Sequence, residues 1–115
     1  MFTNIINLFI LTYNTEDNKQ VVVSAEENKY KIISIKLSEK HESIDAALKE
    51  LLESYVNIGF GWIKTILVDT KKQEKEIYLT FACTIPADTE LKNGYYVGTN
   101  LVVVDPIGRK AINYV

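Results

Sequence analysis

Ser43-Ile44-Asp45-Ala46-Ala47-Leu48-Lys49-Glu50-Leu51-Leu52-Glu53-Ser54-Tyr55-Val56 is the stretch on which the reading of the fold turns. Ile44, Ala47, Leu48, Leu51 and Tyr55 recur at helical spacing along one stripe, the pattern of a helix that buries one side. Ser43 has the side chain of an N-cap and Asp45 places an acid in the first turn, where backbone N–H groups lack partners and the helix dipole is positive. Gly59 and Gly61 close the segment, with too few glycines between them for a phosphate-binding loop. This is the only long helix predicted.

On the N-terminal side the period changes to that of strands. Residues 4–13 pack Ile5, Ile6, Leu8, Phe9, Ile10 and Leu11 into a run broken by Asn7, as expected for a mid-sheet strand covered on both faces. The polar residues 14–19 lead into β-branched residues 20–24, read as the returning arm of a hairpin, and residues 30–35 follow as a third strand. On the C-terminal side, residues 62–70 and 76–85 are predicted strands. In the second, Ile77, Leu79, Phe81, Cys83 and Ile85 alternate with Tyr78, Thr80, Ala82 and Thr84, which implies one core face. Pro86 ends it, residues 95–97 and 101–104 read as further extended pieces, and Asp105 followed by Pro106 predicts a short terminal helix over 106–115. The order β-β-β-α-β-β-β-α does not fit simple βαβ alternation and places the chain in the α/β (α+β) class.

With 115 residues, 47% hydrophobic and 24% charged, the chain has the size and composition of one folded domain spanning 1–115. A net charge of −2 and the absence of a basic cluster argue against nucleic acid as partner. The start Met1-Phe2-Thr3-Asn4 lacks a basic region, and the first apolar run is short and interrupted, so neither a signal peptide nor a membrane span is expected. The single cysteine, Cys83, has no internal disulfide partner and reads as a small buried hydrophobe. With one histidine, zinc-type spacing is absent, and a reducing, cytoplasmic setting is expected.

The helix and its neighbours resemble the Nudix fold family. The family's signature helix carries an Ala-rich first turn, an Arg-Glu pair, an apolar residue and further glutamates; Ala46-Ala47-Leu48-Lys49-Glu50-Leu51-Leu52-Glu53-Ser54 runs in the same order. Glu50 and Glu53 match two acids, Lys49 stands for the arginine, and Ser54 replaces a third acid. The glycine-rich loop ahead of the helix is missing, and the family's upstream acid would fall at His41, beside Glu42. Residues 78–86 and 101–112 resemble the family's late strand with its proline loop and its closing strand and helix. The resemblance implies a mixed β-sheet sandwich with one central amphipathic helix and a short C-terminal helix, carrying a degenerate signature.

It also implies site residues. Glu50 and Glu53 would be the catalytic and metal-holding acids for Mg or Mn, which neutralises a diphosphate and activates water. At about 100° per residue they lie roughly 60° apart, with Ser54 roughly 40° to the other side of Glu50. Losing the third carboxylate removes a charge that would help hold the cation. Read from the residues alone, the two acids belong to a solvated helix face without an obligatory partner. His41 reads as an exposed loop residue. Trp62, Tyr95 and Tyr96 are candidate ligand-binding aromatics able to stack on a base, or strand residues filling a core.

Three functions follow as expectations. The first is a Nudix-like domain with lost or weak hydrolysis, acting as a nucleotide-like ligand-binding or assembly module. The second is a divergent active hydrolase of nucleoside-diphosphate-linked substrates, in which Glu42, Asp88 or Glu90 completes the metal shell. The third is a structural subunit, as a homodimer or part of a larger assembly.

Overall fold

The computed structural model describes residues 2–14, 16, 18–102 and 104–113. The elements are β1 (Thr3–Tyr13), β2 (Lys19–Glu26), β3 (Lys29–Lys36), α1 (Ile44–Tyr55), a 3-10 turn (Phe60–Trp62), β4 (Ile66–Gln73), β5 (Glu76–Thr84), β6 (Tyr95–Gly98), a second 3-10 turn (Thr99–Leu101) and α2 (Pro106–Ile112). The strands form one mixed sheet in the order β4-β5-β1-β3-β2-β6. β1 lies in its middle, as its apolar run requires. It pairs in parallel with β5 from Thr3↔Glu76 to Leu11↔Thr84, and antiparallel with β3 from Ile5↔Lys36 to Leu8↔Ile33. The hairpin expected between the first two strands is confined to Leu11, Thr12 and Tyr13; β2 pairs mainly with β3 and β6.

Two cores lie on the two faces of the sheet. Ile6, Leu8 and Ile10 of β1 pack with Ala47, Leu48, Leu51 and Leu52 of α1, while Phe9 and Leu11 pack with Ala111 and Ile112 of α2. This corrects the reading of β5 as a strand with one core face. Leu79, Phe81 and Cys83 face α1, but Thr80 and Ala82 are buried too, because α2 covers the other side. Burial pushes the Cys83 thiol up to about 12, the state of an inert core cysteine.

Both helix starts follow their caps. Ser43 Oγ accepts from the Ala46 N–H at 3.1 Å, and Asp105 Oδ1 accepts from the Gly108 N–H at 2.7 Å. Gly108 is tolerated inside α2 because a Cβ there would lie 2.7 Å from Val104 Cβ and 3.2 Å from Phe9 Cζ, so its bareness lets α2 sit down on β1. Residues 113–115 of the expected helix lie beyond its end or outside the described residues. Two strand predictions are corrected. Residue 62 belongs to a turn, and β4 begins only at Ile66, where pairing with Ala82 of β5 starts. Leu101 ends a 3-10 turn rather than opening a strand, because β6 stops pairing at Gly98 and the chain must swing from the sheet edge to α2; Val103 lies outside the described residues.

Candidate functional site

His41 sits in the turn that delivers β3 to α1, and its ring folds back under that turn instead of pointing outward. The Ser38 N–H donates to Nδ1 at 3.1 Å, with the Ser38 hydroxyl 3.3 Å away. An Nδ1 that accepts carries no proton, so the proton resides on Nε2, which donates to Glu50 Oε2 at 2.9 Å. The His41 side chain is only 5% exposed, which corrects its reading as an exposed loop residue. Lys40 Nζ lies 3.2 Å from the other Glu50 oxygen. These partners, the His41 bond first and the Lys40 bond second, hold the Glu50 carboxyl below the usual glutamate range, against a smaller opposing effect of burial. A carboxyl lowered on folding contributes stability that is present above the ordinary glutamate value and disappears as pH falls through the lowered one. The gap between wild-type and Glu50→Gln denaturant midpoints should therefore be widest near neutrality and close on acidification.

Glu53 is not a free surface acid. It is half-buried, and its Oε2 accepts from the Phe60 N–H at 2.9 Å, tying α1 to the 3-10 turn that follows it. Its backbone oxygen accepts from Lys92 Nζ at 3.0 Å, so a distant lysine supplies the cation that the last turn of α1 lacks. Ser54 Oγ donates to the Glu50 backbone oxygen at 2.6 Å and is turned onto its own helix. The resemblance of this helix to the Nudix signature would imply a divalent cation at this edge, and the donor set does not fit one. Both carboxylates are engaged by polypeptide N–H donors, the serine hydroxyl is spent, and among the described residues no third His, Cys, Asp or Glu side chain converges with them to replace the missing acid. Asp88 and Glu90 lie in the late loop, where Asp88 adopts a left-handed conformation with φ 68°, and Glu42 stays exposed beside His41.

The candidate aromatics do not form one stacking surface. Tyr95 and Tyr96 are adjacent in β6 and point to opposite faces of the sheet. Tyr96 packs toward α1 and donates its hydroxyl to the Thr89 oxygen at 2.6 Å, whereas Tyr95 is 57% exposed. Trp62 stands 87% exposed in the 3-10 turn.

A concave feature with an apolar base and convergent polar groups lies across the sheet from α1. A cleft of about 270 Å³ opens between the sheet and the start of α2, lined by Asn7 and Phe9 of β1, Ile32 of β3, Lys71 and Gln73 of β4, Tyr78 and Thr80 of β5, and Val104, Asp105, Ile107 and Gly108. Its apolar floor carries two amides, hydroxyls, an ammonium and a carboxylate, the mixture that orients a small ligand. Asn7 and Thr80 are register partners on neighbouring parallel strands, which sets their side chains together on this face. The Tyr78 hydroxyl donates to Glu76 Oε1 at 3.0 Å, and that bond, more than burial, raises its pKa. Sequence reading missed this site, whose residues come from four strands and the α2 cap. The available signal was Asn7, a polar residue inside an otherwise apolar central strand.

No family model matches the sequence, and no curated protein is detectably similar to it. Solved structures are similar in fold. The C-terminal domain of mouse MUTYH, seen in complex with human PCNA, superposes with a TM-score of 0.68 at 12% identity, covering 96% of this chain and 85% of that one. MutT from work on Aliivibrio salmonicida and Vibrio cholerae gives 0.66 at 14% identity, over 97% and 98% of the two chains. RenU, a Nudix hydrolase of M. smegmatis, gives 0.60 at 8% identity, over 95% and 80%. The fold of this chain is Nudix-like.

Proposed function

We propose that this chain is a Nudix-like ligand-binding domain with lost or weak hydrolysis, which takes a nucleotide-like small molecule in the cleft between the sheet and α2. The observation that carries the reading is the cleft itself, with Asn7, Thr80 and Asp105 able to meet the donor and acceptor edge of a planar base over the Phe9 and Ile32 floor, and Lys71 at the wall to meet a phosphate. The Nudix-like fold supports this choice of ligand class, and the engaged acids of α1 support the loss of hydrolysis.

A panel of nucleoside mono-, di- and triphosphates, screened by thermal shift and by product analysis with and without Mg²⁺ or Mn²⁺, tests it. A ligand at a hundred times its Kd stabilises by about 2.7 kcal/mol. Lys71 lies on an exposed strand edge, so Lys71→Glu should fold normally and weaken binding about tenfold or more by losing a charged hydrogen bond. Absence of stabilisation by every compound, or a stabilisation indifferent to Lys71→Glu, would overturn the cleft reading. Metal-dependent turnover that disappears in Glu50→Gln would instead establish the active hydrolase. An assembly role is favoured by one observation, the exposure of Trp62, and light scattering of wild type against Trp62→Ser reads it directly.

A further inference from the structure

We infer that the acidic edge of α1 is a clamp satisfied by the polypeptide itself, in which Lys40, His41 and the Phe60 amide surround Glu50 and Glu53 in place of a divalent cation, so that these acids position the two loops flanking the helix. The inference stands independently of what the cleft binds. A hard cation is held by oxygen ligands, of which one or two carboxylates supply the anionic charge. Here Glu50 has one oxygen 2.9 Å from an imidazole N–H and the other 3.2 Å from an ammonium, so an incoming ion would meet a like charge and would compete with both contacts.

Releasing Glu53 would strand the half-buried Phe60 N–H it accepts from at 2.9 Å. Each bond has a mechanical consequence. His41 joins the Ser38 amide, at the exit of β3, to the middle of α1, and Glu53 joins α1 to the turn at residues 60–62. A nearly buried imidazole with both nitrogens engaged is what distinguishes a built junction from two acids on a wet helix face.

The test combines a double-mutant cycle with a metal titration on the intact chain. His41→Ala and Glu50→Ala are each expected to lower Tm by about 4 °C or more, and the double variant by clearly less than the sum of the two losses, because the bond between them is counted in both single variants. Wild type should show no selective broadening of the amide signals of His41 and residues 50–54 by substoichiometric Mn²⁺, and no rise in Tm at millimolar Mn²⁺ or Mg²⁺. Additive losses, or a Tm raised by Glu50→Ala as expected for relief of carboxylate repulsion, would overturn the clamp. So would Mn²⁺ broadening centred on Glu50 and Glu53. The broadening measurement needs no variant, so the inference remains open to refutation even where a substitution prevents folding.

Discussion

Truncation of Leu51 to alanine is expected to cost about 2–5 kcal/mol, a large share of the roughly 5–15 kcal/mol that holds a domain together. Leu51 is 4% exposed, in the middle of the α1 stripe, and shares a core with Ile6, Leu8 and Ile10 of the central strand. That strand is fixed on both flanks, so the site has little freedom to collapse around the cavity. Glu53, two residues on, is the contrast. Glu53→Gln keeps an oxygen that can accept from the Phe60 amide and should stay within about 0.5 kcal/mol. Glu53→Ala removes the acceptor and should cost about 1–3 kcal/mol by leaving that N–H unpaired. Urea midpoints of the three variants check the assignment; equal losses for Leu51→Ala and Glu53→Gln would show that the buried stripe has been misplaced.

Gly94→Ala is expected to be nearly as damaging, at about 3 kcal/mol, although it adds a single methyl group. Gly94 turns the chain into β6 with φ 77°, a conformation that costs a side-chain-bearing residue about 1–2 kcal/mol. A Cβ there would also fall 2.6 Å from the backbone oxygen of Val23 and 3.0 Å from the Tyr55 ring. The oxygen belongs to β2, which pairs with β6 through Val23↔Tyr95, so relief requires the edge strand to shift. Thermal unfolding should show the loss, and hydrogen exchange should place it first in β6. A variant within about 0.5 kcal/mol of wild type would mean that β6 is not held against β2 as described.

What the chain states locally is legible in its residues. The Ile5 to Leu11 run demands burial on both faces and occupies the centre of the sheet; the stripe from Ala47 to Leu52 makes the one long helix; Ser43 and Asp105 cap where their hydroxyl and carboxylate reach the first free amides. These follow from period and from short-range bonding, which any observer of the sequence can count.

Tertiary structure alone decided the partners. Glu50 and Glu53 look like solvated acids because helical spacing describes only the helix's own surface, whereas His41 and the Phe60 amide reach them from loops on either side. The covered second face of β5 depends on α2, which returns from the far end of the chain. The cleft needs Asn7 beside Thr80, residues distant in sequence and joined only by the parallel register of β1 and β5, under a helix that packs closely because Gly108 has no side chain. Sequence period sets which face of an element is apolar, but the choice of what covers that face, and of which polar groups meet across it, is made by long-range packing that no local pattern encodes.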